Sequence, residues 1–345
     1  MVAIIGQKNA NMPKLKAFVF GKFLPFHKGH EAMIAYALSQ CDFLSILVCA
    51  SDRELLAGKT RQEWIEQTFA NRPNLEVRLF EYLEEDLPNS SESSKDISKL
   101  WSAAFKEQFP DYQLVITSEP YGAFVANFMG IQHRLFDQSR LKVPISATAI
   151  RQDLFQNWRY LPKAVRSYFA IKVVILGTES TGKTTLTQQL AQHYHCQEVL
   201  EAGRDLIPDS KAFEYEDLYA VASEHAQRIH QASQGEHPLI IIDTDIHITS
   251  SYAKFIFQRP LTISPAIYKT NQAHLYLYLN AQVPHVQDGT RLELEERNLL
   301  DASHRQTLME HKIDFVEISG AWDSRLQQAL LAIDELLKDK KERTL

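Results

Sequence analysis

The chain has 345 residues, 45% hydrophobic and 23% charged, with a net charge of −6, which excludes a disordered, collagenous or coiled-coil protein and a generic nucleic-acid binder. At roughly 100–200 residues per domain the length fits two domains. Charge divides unevenly: twenty basic and eighteen acidic side chains leave residues 1–170 at +2, and seventeen and twenty-five leave 171–345 at −8.

The opening MVAIIGQKNANMPKLK has a short apolar patch but no long hydrophobic region, so no signal peptide is expected. A strand is then predicted over Ala17–Phe20, a helix from Lys28 to Ser39, a buried strand over Phe43–Ala50 and a helix over Arg61–Ala70. Strands at Leu75–Phe80 and Gln113–Thr117 flank a helix at Lys95–Phe109, and Leu87–Ser98 reads as an exposed polar loop. Ile131–Phe136 is a further short strand, and helices over Thr148–Asn157 and Pro162–Ala170 close the first part. The pattern restarts at Ile171–Leu176, with strands at Glu198–Leu200, Leu239–Ile242, Ala273–Leu279 and Phe315–Ile318 and a helix from Asp323 to Lys338. Strands alternating with helices imply two α/β domains with parallel sheets, 1–168 and 169–345. Three scattered cysteines, Cys41, Cys49 and Cys196, argue against a disulfide framework and fit a reducing, cytoplasmic setting. No apolar run approaches a membrane span of about 18 residues.

Residues 21–30, GKFLPFHKGH, follow the first strand and open a helix. Gly21 lets the chain turn, Phe23 and Pro25 shape the approach, and Gly29 leaves room for a flat base at the backbone. His27 and His30, three apart, share a face of the helix start, where backbone N–H groups favour anions. There they can contact phosphate oxygens that gain charge as pyrophosphate leaves, with Lys22 as a further contact. About 120 residues further on, ISATAIR offers Ser146 or Thr148 as a helix cap and places Arg151 in the first turn, within reach of a triphosphate. The pair resembles the HxGH and SxTxxR motifs of the nucleotidyltransferase superfamily, which implies a Rossmann-like fold and adenylyl transfer from ATP without a covalent nucleophile, aided by Mg²⁺.

Residues 177–184, GTESTGKT, form a full P-loop motif between an apolar strand and a helix. Gly177, Glu179, Ser180, Thr181 and Gly182 form the phosphate-cradling loop. Lys183 reaches the β- and γ-phosphates, Thr184 ligates Mg²⁺, and Thr185 continues the site. Asp243, ending PLIIIDTD, is the expected metal carboxylate, and Asp245 a metal or substrate contact. In EAGR, Glu201 is the candidate base or hydroxyl ligand and Arg204 a phosphate contact, with Asp205 or a plain surface ion pair as the alternatives. DGTRLELEER at 288–297 reads as a lid that brings Arg291 or Arg297 to the transferring phosphate, with a solvated helix face the favoured alternative for Arg297. His193, His195 and Cys196 lack zinc spacing, and His225 and His230 read as packing or surface.

The motif order, together with CASDRE, Arg61-x-x-Trp64, TSEPYG, DQSR, WRYLP and VPHVQDGTR, resembles the bifunctional nicotinamide-nucleotide adenylyltransferase and ribosylnicotinamide kinase family, the NadR-type proteins. The resemblance implies an NAD-salvage enzyme. A P-loop kinase domain would phosphorylate nicotinamide riboside, and a nucleotidyltransferase domain would join nicotinamide mononucleotide to ATP. It further implies Trp64 near the nicotinamide, Arg140 on a phosphate and Asp288 on the ribosyl substrate, whereas His285 stands where the family has Trp. Only some 16 residues precede the first strand, too few for the helix-turn-helix that many members carry, so no DNA or membrane partner is expected. Homo-oligomerisation is left open. The alternatives are a fused phosphopantetheine adenylyltransferase and dephospho-coenzyme A kinase, and a nucleotide-sensing regulator of low activity.

Overall fold

The computed structural model describes residues 14–88, 95–207, 213–280 and 294–342. Two compact units divide the chain, one from residues up to 152 with 160–165, the other from 153–159 with 166 onward.

In the first unit the order is β1 (Lys16–Gly21), α1 (Lys28–Leu38), β2 (Phe43–Ser51), α2 (Gly58–Thr68), β3 (Leu75–Tyr82), α3 (Lys95–Gln108), β4 (Leu114–Thr117), α4 (Gly122–Met129), β5 (Gln132–Leu135) and α5 (Ala147–Gln152). The five strands are all parallel, in the order β3-β2-β1-β4-β5. The central strands read as near-continuous apolar runs because helices cover both faces. Phe18 of β1 is fully buried and stacks on Phe109 at 4.4 Å, in a cluster with Phe105, Val125 and Ala126. Each such side chain contributes roughly 1.5–3 kcal/mol by leaving water. At the edge, β5 is short, polar and mostly exposed, which discourages pairing with another chain.

After a 3₁₀ turn at Trp158–Tyr160 and α6 (Lys163–Phe169), the second unit runs β6 (Ile171–Leu176), α7 (Lys183–Tyr194), β7 (Gln197–Val199), α8 (Gly203–Leu206), α9 (Asp217–Ser233), β8 (Leu239–Asp243), α10 (Ile246–Phe257), α11 (Pro265–Asn271), β9 (Leu275–Leu279), α12 (Leu294–Glu310), β10 (Val316–Ile318) and α13 (Trp322–Glu342). Its sheet is also parallel, ordered β10-β9-β6-β8-β7. Val173, Ile175, Leu186, Leu190, Ile241, Leu277 and Ile333 form its core. In each sheet the first strand of the unit lies centrally and the connections depart to both sides of it. Ligands of open α/β sheets bind at that switch, beyond the strands' carboxyl ends.

One sequence expectation changes. The helix predicted over Thr148–Asn157 stops at Gln152. Trp158 and Arg166 bind within the second unit: Trp158 Nε1 donates to the Gly235 carbonyl at 3.0 Å and Arg166 pairs with Glu236 at 2.6 Å. Among the described residues no helix is long and apolar enough to cross a membrane.

Candidate active sites

Beyond β1 and β4 a cavity of about 330 Å³ opens, lined by Gly21, Lys22, Phe23, His27, Gly29, His30, Thr117, Glu119, Arg140, Ser146, Thr148 and Arg151, among others. His27 caps α1: its Nδ1 accepts from the backbone N–H groups of Gly29 at 3.1 Å and His30 at 3.4 Å. A neutral imidazole accepting through Nδ1 carries its proton on Nε2, which is left to donate to a ligand. Burial and the nearby Arg140 charge push His27 down to about 3. Burial, His27 and Arg140 likewise hold His30 well below its ordinary value. The rings stack at 3.7 Å, and His30 Nδ1 is buried with no partner among the described residues. Both histidines are therefore neutral donors, and formal positive charge comes from Lys22, Arg140 and Arg151. Gly29 has a requirement the motif alone did not reveal. A Cβ there would stand 2.9 Å from His27 Cε1, so glycine makes room for the His27 ring itself.

Ser146, not Thr148, caps α5, accepting from the Ala149 N–H at 3.1 Å. Because α5 has six residues, Arg151 lies in its last turn and not its first. Its guanidinium spans to the opposite wall, donating to the Leu24 carbonyl at 2.6 Å and to Thr148 Oγ1 at 3.2 Å. Lys22 pairs with Glu54 at 3.0 Å, and Glu54 also pairs with the fully buried Arg61 at 2.6 Å. Arg61 donates to the Lys22 carbonyl at 2.6 Å and so clamps the loop that follows β1. Glu54 escaped sequence reasoning because no spacing pattern links it to Lys22. Arg140 sits on the rim, paired with Glu119 at 3.4 Å. Trp64 is only 3% exposed and does not line this cavity.

In the second unit the loop between β6 and α7 turns through three residues of positive φ, Gly177 (138°), Ser180 (62°) and Gly182 (91°). A Cβ on Gly177 would meet the Leu279 carbonyl at 2.8 Å, and one on Gly182 would meet the Trp322 ring at 2.7 Å. Lys183 is buried and donates to the Thr178 carbonyl at 3.0 Å, as does the Thr181 hydroxyl at 2.9 Å. The Thr184 hydroxyl donates to Asp243 Oδ2 at 2.5 Å, joining helix α7 to the end of β8. Glu179 accepts from the half-buried Tyr252 hydroxyl at 3.1 Å, while Ser180 and Thr185 are exposed. A hydroxyl beside a fully buried carboxylate is a hard-oxygen pair that fits Mg²⁺ held jointly with substrate phosphates.

Asp245 is fully buried. It caps α10, accepting from the His247 N–H at 3.0 Å, and its other oxygen meets His247 Nδ1 at 2.5 Å. Glu201 follows β7, and its charge acts on both Tyr252 and His225. Arg204 forms an exposed pair with Glu201 at 3.6 Å, and Asp205 pairs with Arg228 at 2.7 Å. His225, expected to pack or face solvent, is buried beside Asp243 and Asp245. Arg297, expected in solvent, is 2% exposed. Sequence reasoning also missed Arg325 of α13, which donates to the Thr181 carbonyl at 3.3 Å and the Asn280 carbonyl at 3.1 Å. More than 140 residues separate it from the loop, and no motif marks it. His285, Asp288 and Arg291 lie outside the described residues.

A family model described as an AAA domain matches residues 172–325. The trifunctional NAD biosynthesis/regulator protein NadR of Escherichia coli (strain K12) is 29% identical over 98% of this chain and 87% of its own length. Its counterpart from Salmonella typhimurium (strain LT2) is 29% identical over 93% and 83%. Two solved structures share the fold at 22% identity over 94% of this chain and 96% of theirs. One is NadR with NAD and AMP-PNP, at a TM-score of 0.68, and the other NadR with NR, at 0.69. With sequence similarity running through both phosphate sites and almost the whole length, the chain is a homologue of the NadR proteins.

Proposed function

We propose that the chain makes NAD in two steps on two sites: phosphorylation of nicotinamide riboside by ATP in the second unit, then adenylyl transfer from a second ATP to the mononucleotide in the first. The observation that carries this is the pairing, in one NadR homologue, of a histidine-capped phosphate cavity with a complete P-loop joined to a metal-binding carboxylate. We assign the domains as 1–168 and 169–345, acting in the cytoplasm, with 153–159 and 166–168 belonging to the second compact unit.

In the kinase site the riboside hydroxyl attacks the γ-phosphorus of ATP, the bond to the β,γ-bridging oxygen breaks and ADP leaves. Lys183 and the loop N–H groups hold the β- and γ-phosphates, and Glu201 orients or deprotonates the hydroxyl. Thr184 and Asp243 would hold Mg²⁺, which supplies charge neutralisation on the phosphates. In the other site the mononucleotide phosphate attacks the α-phosphorus and pyrophosphate leaves. The neutral Nε2–H of His27 and the His30 ring donate to the developing charge, while Lys22, Arg140 and Arg151 hold the departing oxygens. Catalysis there is positioning and electrostatics, with no covalent intermediate.

The test is incubation of the full chain with nicotinamide riboside, ATP and Mg²⁺, with product identification. Mononucleotide, NAD and pyrophosphate are expected. Turnover of pantetheine phosphates with none of nicotinamide nucleotides contradicts the proposal.

A further inference from the structure

The turn that carries the metal carboxylate has an unusual conformation. Thr244, between Asp243 and Asp245, has φ 73°. A β-branched side chain rarely adopts that region, so the surrounding contacts must hold it there. Three of them are visible. The Thr244 N–H donates to the Ile175 carbonyl at 3.0 Å, its hydroxyl donates to Asp243 Oδ1 at 3.3 Å, and its carbonyl meets His225 Nε2 at 3.0 Å. A carbonyl only accepts, so Nε2 carries the proton. His225 Nδ1 is then a bare acceptor, buried and without a partner among the described residues. Packing alone would favour an apolar side chain there, as at Leu218, Val221, Ala222 and Ile229 on the same helix. What the imidazole supplies is one directed donor to one strained peptide.

We propose that His225, acting through the Thr244 carbonyl, is a positioning residue for phosphoryl transfer: it holds the left-handed turn that sets Asp243 against Thr184. The inference rests on the kinase assignment of this site. Asp243 immediately precedes the strained Thr244 and reaches Thr184 Oγ1 directly, so relaxing Thr244 displaces the carboxylate that would share Mg²⁺ with that hydroxyl.

The test measures riboside phosphorylation against Mg²⁺ concentration in the full chain. His225→Leu should lower kcat about tenfold, the worth of one buried hydrogen bond, and raise the Mg²⁺ needed for half-maximal rate. His225→Gln places an amide N–H near the Nε2 position and should recover most of the rate, whereas His225→Asn places it near Nδ1 and should not. The Gln–Asn contrast serves even where the Leu variant fails to fold, since both amides are polar. In a Thr244→Gly background, where positive φ is free of strain, His225→Leu should cost much less than in the native background. An unimpaired His225→Leu, a Gln variant no better than Asn, or an equal loss in both backgrounds overturns the role. A wild-type chain that phosphorylates no riboside overturns the kinase assignment, and the positioning role with it.

Discussion

In the first unit the start of α1 presents two neutral imidazoles, His27 buried and His30 half-buried, and leaves formal charge to Lys22, Arg140 and Arg151 around them. In the second, the start of α7 carries a buried lysine inside a loop of backbone N–H groups, with a carboxylate one hydrogen bond away. Both sites lie at the positive end of the helix that follows the central strand. They differ in where the cation sits. A buried Lys183 suits a γ-phosphoryl group whose charge must be met at close range together with metal. Neutral donors with cations at the margin suit a site that binds a triphosphate and must then release pyrophosphate.

The largest effect that can break this contrast is Lys183→Ala. Riboside phosphorylation should fall about a thousandfold while adenylyl transfer is unchanged, measured as two separate steady-state assays. His30→Ala should do the reverse, lowering adenylyl transfer about a hundredfold. If either change removed both activities in a folded chain, the two sites would not be independent. Gly29→Ala should cost adenylyl transfer about tenfold, because the His27 ring must leave its place over the backbone. Normal activity in that variant would show that the ring position does not matter.

The smallest effect is on stability against pH. His27 falls from an ordinary 6.5 to about 3 on folding. Between those values the unfolded chain binds the proton and the folded chain does not, so stability rises with pH there and is lost as pH drops below 6.5. His27→Asn should flatten that slope in urea unfolding followed across pH. An unchanged slope would mean that His27 is not held neutral.

Much of this was legible in sequence for physical reasons. The strands of a doubly covered parallel sheet are continuous apolar runs, and both phosphate loops need glycine and specific donors at fixed offsets. The Gly122–Met129 helix was not, because GAFVANFM lacks a polar face to display a helical period. Nor were the contacts of Glu54, Arg325 and His225, whose partners lie up to 144 residues away along the chain. Asp245, read as a metal or substrate contact, caps α10 through one carboxylate oxygen and meets the His247 imidazole with the other, partners that no spacing pattern in the sequence announces.

Complementation between the two loss-of-function variants tests the two-site mechanism most directly. Each is supplied with nicotinamide riboside, ATP and Mg²⁺, alone and then mixed, and the nucleotides are identified by mass. Lys183→Ala alone should form neither product, His30→Ala alone should stop at the mononucleotide, and the mixture should form NAD. NAD from Lys183→Ala alone, or none from the mixture while His30→Ala accumulates mononucleotide, would contradict two separate sites acting in sequence.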